Sequence, residues 1–184
     1  MKLRETGKSD NAEIEKIHLM AFGPEQGPEI VELVQNLLAD ETARPLISLA
    51  AVEENGNLSG HILFTKAEIE QAGESIPVSA QLLAPLAVHP DHQGKGVGGL
   101  LIKEGLRMLK DAGVQLVFVL GHPDYYPRSG FRPAGELGLD APYPIPEKDA
   151  GAWMVQELVP GVLGRAQGRL HCAEALDKPE YWRE

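Results

Sequence analysis

The chain has 184 residues, 43% of them hydrophobic and 24% charged, with a formal net charge of −10. This length supports one domain (1–184) with a substantial core, while so acidic a balance excludes a nucleic-acid partner, which needs a basic surface against phosphate. One cysteine, Cys172, excludes an internal disulfide and suits a reducing, cytoplasmic setting. No apolar run is long enough to span a membrane, so no membrane partner is expected, and Met-Lys-Leu-Arg-Glu-Thr lacks the apolar core of a signal peptide.

In chain order, Lys2–Glu5 reads as a short strand. Asp10 with Glu13 has the spacing of a capping box for a helix through Phe22, with Ile14, Ile17 and Ala21 at helical intervals. Gly23-Pro24-Glu25-Gln26-Gly27-Pro28 breaks the chain. A second helix carrying Ile30, Val34, Leu37 and Leu38 then runs to about Asp40. Leu46–Glu53 and Leu58–Ile69 are β-rich runs around a hairpin signal, Glu54-Asn55-Gly56-Asn57, and Ala72-Gly73-Glu74-Ser75 marks another turn. Leu82–Val88 is a strand, Val97–Ala112 a helix ending at Gly113, and Val114–Leu120 a strand that should run parallel to the Leu82 strand. Asp140–Pro146 is irregular, and Trp153–Val159 with Gly164–Cys172 reads as a closing pair of strands. The order implies a mixed α/β fold with helices on both faces of the sheet.

Chemistry concentrates in Leu82–Gly99, where an apolar strand passes through a polar turn into a Gly-rich loop opening a helix. Main-chain N–H groups there lie at the positive end of the helix dipole and can hold phosphate. Gly94, Gly96, Gly98 and Gly99 allow close approach, and Lys95 adds a positive charge. Gly94-Lys95-Gly96-Val97-Gly98-Gly99 matches G-x-G-x-x-G. A dinucleotide site, however, puts the glycines directly after the strand and an acidic residue on the next one. Here His89 to Gln93 intervene, and Gln115–Leu120 has no acidic residue. A P-loop needs Ser or Thr after the lysine, where this chain has Gly96. The remaining parsing is Gln93-x-x-Gly96-x-Gly98.

That parsing resembles the pyrophosphate loop of the GNAT superfamily of acyl-CoA N-acyltransferases. Leu86-Ala87-Val88-His89-Pro90 before it and Tyr125-Tyr126-Pro127-Arg128-Ser129-Gly130-Phe131 after the next strand are also similar to the family pattern. With Gly121-His122-Pro123 between them, residues 82–131 look most like the bacterial YhbS-like subgroup. The resemblance implies a largely antiparallel sheet with a central parallel pair that splays to admit acetyl-CoA, and transfer to an amine without a covalent enzyme intermediate. Leu86, Ala87 and Val88 would meet the pantetheine arm, with Leu83 or Pro85 nearer the acyl group. Gln93, Gly94, Lys95, Gly96, Val97, Gly98 and Gly99 would hold the pyrophosphate, and His122, Tyr125 and Tyr126 would complete the cofactor site. Val88 is the closest match to the oxyanion donor, and Tyr126 to the acid that protonates the leaving sulfur.

The general base has no such match. Relatives often carry a glutamate where this chain has about Leu82, which leaves Glu25, Glu29, His122 or a water chain. The same loop also suits a non-catalytic acyl-CoA-binding or sensor module. A nucleotide-binding dehydrogenase is disfavoured by the missing acidic residue. The acceptor class stays open, from small amines, which an acidic surface attracts, to protein N-termini. His89 and His92 read as a solvated turn rather than a metal pair, since no further ligands are placed. Cys172 reads as a small buried hydrophobe. Asp177–Glu184, with Tyr181 and Trp182, reads as a flexible tail or a homodimer contact.

Overall fold

A ten-stranded sheet divides the protein into two apolar layers, each covered by one helix. In the computed structural model, which describes residues 1–183, the strands are β1 (Lys2–Glu5), β2 (Ile47–Val52), β3 (Leu58–Gln71), β4 (Glu74–Ser75), β5 (Ala80–Val88), β6 (Leu116–Leu120), β7 (Arg132–Pro133), β8 (Leu139–Asp140), β9 (Trp153–Glu157) and β10 (Gly168–His171). Their main order is β1-β2-β3-β5-β6-β9-β7. Neighbours along it are antiparallel except β5 and β6, which are parallel. This is the mixed, mostly antiparallel sheet with a central parallel pair that the family resemblance implied.

Helix α1 (Asn11–Ala39) covers one face and α2 (Val97–Asp111) the other. α1 is two helical segments joined at a single residue, Gly23, with φ 82° and ψ 179°. The expected six-residue break is thus one residue long. Pro24 opens the second segment, where a missing N–H is tolerated. The expected capping box is not made. Asp10 instead takes both guanidinium nitrogens of Arg4, at 2.8 and 2.9 Å, and the N–H of Gly7 at 2.8 Å. These bonds, the Arg4 one first, hold its carboxyl down at about 2. Glu13 reaches across to accept the Leu58 N–H at 2.7 Å. A longer-range donor therefore took the carboxylate that local spacing assigned to the helix end.

The two expected closing strands form, as β9 and β10, but do not pair with each other. β9 pairs with β6, whereas β10 lies across the sheet against β3 and β8. The segment between them carries Val162 and Ala166 into the α1-side core, and that burial separates the two strands. The C-terminal residues pack rather than trail. Trp182 is 2% exposed, stands edge-on to Trp153 at 5.5 Å and donates its indole N–H to Leu176 O at 2.9 Å. Tyr181 is partly buried against the same core. Glu184, the last residue of the expected tail, lies outside the described residues. No described helix is long and apolar enough to cross a membrane.

Candidate active site

The parallel pairing of β5 and β6 is short. It joins Ala80 to Leu116 and continues to Leu83 opposite Val119, but β5 runs five residues further, to Val88. The divergence coincides with a bulge, where Leu63 of β3 faces both Ala84 and Pro85. Pro85 has no N–H to give a ladder, and an extra residue on one strand bends it. Beyond the bulge β5 stays bonded to β3 alone, which leaves a gap on its β6 side.

The ladder phase determines what faces that gap. Bonded and non-bonded pairs alternate along an antiparallel ladder. His89 N–H bonds Ser59 O at 2.8 Å, so two residues back the bonded pair is Ala87 with His61. Leu86 and Val88 therefore turn their N–H and C=O groups away from β3 and into the gap. Ala87 turns its own toward β3 and offers the gap no main-chain group. The exposed Gln93 side chain donates to Val88 O at 3.0 Å, tying the loop back to the strand.

From Val88 the chain crosses the turn Pro90–His92 and enters the glycine loop. Gly96 is the residue before α2 and adopts φ 84°, ψ 6°, a left-handed conformation that favours glycine. This turns the first-turn N–H groups of Val97, Gly98 and Gly99 outward, where no intrahelical acceptor exists for them. Val97, Leu101, Ile102 and Leu109 anchor the opposite side of α2 in the core. Lys95 is exposed at the loop tip. Together these could hold an anion: aligned donors, the positive helix end and one exposed cation.

Tyr125 and Tyr126 follow β6, Tyr126 within the α2-side core and Tyr125 packed against it, as are Leu86 and Val88. A methyl group on Gly98 would overlap the Tyr125 hydroxyl, so glycine there lets the tyrosine lie across the first turn of α2. Tyr126 packs its ring on Gly121, edge-on to Tyr125 at 5.2 Å and to Phe131 at 5.8 Å. Burial pushes the Tyr126 hydroxyl well above the usual phenol range, with Tyr125 adding to the shift. Burial also raises that of Tyr125, against the pull of Arg128. Both hydroxyls are thus protonated at neutral pH and available as donors.

The other candidates are dispersed. His122 is exposed at the end of β6, and its carbonyl accepts the N–H groups of Tyr125 and Tyr126 at 3.1 and 3.4 Å. Glu25 and Glu29 are exposed on the second segment of α1, and Leu82 is core. His89 Nδ1 accepts the Asp91 N–H at 3.1 Å, and His92 Nδ1 lies 3.3 Å from Glu53. Among the described residues no three His, Cys, Asp or Glu side chains converge on a metal position. Cys172 is half-buried, and burial pushes its thiol up to about 12, which makes it a poor nucleophile. Two residues that composition alone did not single out, His18 and His61, are fully buried and hydrogen-bonded to each other at 2.8 Å. His18 lies on the apolar stripe of Ile14, Ile17 and Ala21, one residue beyond Ile17, and that placement was the available signal.

The fold and this loop define an acetyltransferase (GNAT) domain. The model of that family matches residues 2–134, and the chain belongs to it. It is 47% identical over 170 residues, 92% of this chain and 90% of the relative, to the uncharacterised N-acetyltransferase YjhQ of Escherichia coli K12. Its structure is similar to that of the GNAT family N-acetyltransferase YhbS from Escherichia coli in complex with CoA. The TM-score is 0.83 at 25% identity, covering 97% of this chain and 92% of that one. It is also similar to a GNAT family acetyltransferase from Brucella melitensis in complex with acetyl-CoA. There the TM-score is 0.73 at 30% identity, covering 96% and 97% of the two chains.

Proposed function

We propose that the protein transfers an acetyl group from acetyl-CoA directly to the primary amine of an acceptor. The observation that carries this reading is the pair of residues Leu86 and Val88, whose main-chain groups face an open gap that ends at the anion site of α2. The CoA and acetyl-CoA held by the similar structures from Escherichia coli and Brucella melitensis support it. In this reading the pyrophosphate lies on the N–H groups from Gly94 to Gly99 beside Lys95. The pantetheine amides pair with Leu86 and Val88, the Gln93 amide yielding Val88 O to the substrate. Each contact fixes the thioester without chemistry, and such positioning removes much of the entropic barrier.

The acceptor nitrogen, once neutral, attacks the thioester carbon. The Val88 N–H stabilises the developing oxyanion, and the C–S bond breaks. Tyr126 gives its proton to the departing sulfur and recovers one from the nitrogen, so the acetylated product leaves neutral at that atom. Release of free thiol from acetyl-CoA across a panel of small amines, amino acids, aminated antibiotics and peptide N-termini tests this. Thiol release with at least one class, matched by acetylated acceptor, is the expected result. Tight CoA binding with no release across the panel would overturn catalysis and leave a binding module.

A further inference from the structure

The acetylation leaves one proton unassigned, because an amine arrives as an ammonium and must lose a proton before it attacks. A chain of buried hydrogen bonds offers it a route. His18 Nε2 lies 2.8 Å from His61 Nδ1, His61 Nε2 lies 2.7 Å from Ser48 Oγ, and Ser48 Oγ lies 2.6 Å from Thr6 Oγ1. One end is partly exposed, at Thr6. The other is His18 Nδ1, fully buried and without a hydrogen-bond partner among the described residues.

A bare lone pair at Nδ1 selects one arrangement of protons. If His18 carries its proton on Nε2, it donates to His61 Nδ1. His61 then donates from Nε2 to Ser48, and Ser48 donates to Thr6. Every bond points the same way, and the only unmatched group is an acceptor. The opposite arrangement would bury an N–H with no acceptor, and a buried orphan donor is the rarer defect.

The chain lies on the face of the sheet covered by α1, one strand from the gap. His61 is opposite Ala87, which lies between the two residues that face the gap, and α1 packs across both β3 and β5. On that face β5 presents the small side chains of Ala84 and Ala87. A second buried, unpartnered oxygen, Thr65 Oγ1, lies further along β3 opposite Leu82. Two unmatched polar atoms thus lie on this side of the sheet, His18 Nδ1 on α1 and Thr65 Oγ1 on β3.

We propose that His18, His61, Ser48 and Thr6 form a proton relay that takes the proton from the acceptor ammonium at His18 Nδ1 and delivers it to solvent at Thr6. This rests on the transferase reading above. His18 is the catalytic member, and His61, Ser48 and Thr6 act through it. The ammonium N–H bond breaks as His18 gains the proton. His18 passes its Nε2 proton to His61, His61 its Nε2 proton to Ser48, Ser48 its hydroxyl proton to Thr6, and Thr6 its own to water. One proton enters and one leaves. Burial holds His18 down at about 4 and His61 well below its ordinary range, so the imidazolium is a transit state and the outlet is required. Phe22 stacks on His18, and the charged group that acts on the pair is Asp10, already bound by Arg4.

The test uses two amines that the wild type acetylates, one with its own pKa above the assay pH and one below it. His18→Gln and His61→Gln should each lower kcat for the basic amine at pH 7 by roughly 10²-fold. The rate should then rise with pH in proportion to the free amine. The weakly basic amine, already neutral, should lose little. Thr6→Val, at the accessible end, should show the same pattern in smaller measure and keeps the test decisive if the buried variants do not fold. Equal losses for both amines would assign the chain a structural role and overturn the relay, as would unchanged pH profiles in all variants. If the wild type acetylates no amine while still binding CoA, the transferase reading itself falls and takes the relay with it.

Discussion

Among single residues, Gly98 and the two tyrosines belong to the α2-side packing. A methyl at position 98 meets the Tyr125 hydroxyl rather than its ring, so Gly98→Ala should destabilise the protein by about 1–3 kcal/mol, the usual range for overpacking. Removing only that oxygen should restore most of the loss, and urea unfolding of Gly98→Ala, Tyr125→Phe and the double variant measures the coupling. Additive losses would show that the hydroxyl is elsewhere. Tyr126 makes a different claim. Its ring is held by Gly121 and Phe131, so Tyr126→Phe keeps the packing and removes only the proton donor. Stabilisation by CoA should stay as in the wild type, while kcat at saturating acetyl-CoA falls by roughly 10²-fold, toward the low end if the thiol leaves well unaided. Full activity in Tyr126→Phe would remove the acid assignment.

Among the elements, α1 and β5 each owe their shape to one interruption. The single break in α1 is at Gly23, whose φ of 82° with ψ of 179° is open to glycine and strained for other residues. A Cβ there would meet nothing within 4 Å, so Gly23→Ala should cost about 1–3 kcal/mol through the backbone alone. Unfolding free energies check this, and an unchanged value would mean that α1 relaxes into a straight helix. In β5 the interruption is at Pro85, which has no N–H for the ladder and lies at the bulge against β3. The strand, the glycine loop, α2 and the parallel return to β6 were legible because each is written in consecutive residues. What was not legible depends on distant partners. Asp10 had the spacing of a helix cap, but Arg4 and Gly7 hold it. β10 had strand composition, but nothing in residues 164–172 names β3 as its neighbour. His18 and His61 are 43 positions apart, and only the packing of α1 on the sheet makes them a pair.

For the whole molecule, the buried histidines link stability to pH. Unfolded, each binds a proton near pH 6.5; folded, burial lowers His18 to about 4 and holds His61 well below its ordinary range. Between those values the unfolded state holds more protons, so stability falls as pH drops from about 6.5 toward 4 and is fully present above that window. His18 alone accounts for about 3 kcal/mol of that loss by pH 4. Urea unfolding at several pH values should show it, and His18→Phe should flatten the slope. The central claim is that acetyl-CoA lies between β5 and β6 with its pyrophosphate on the first turn of α2, and calorimetric titration with acetyl-CoA tests it most directly. The wild type should bind one equivalent. Gly96→Asp should bind none while still unfolding cooperatively, since it places a carboxylate against the phosphates in a backbone conformation that Asp tolerates better than most residues. Equal binding by the two proteins would contradict the account.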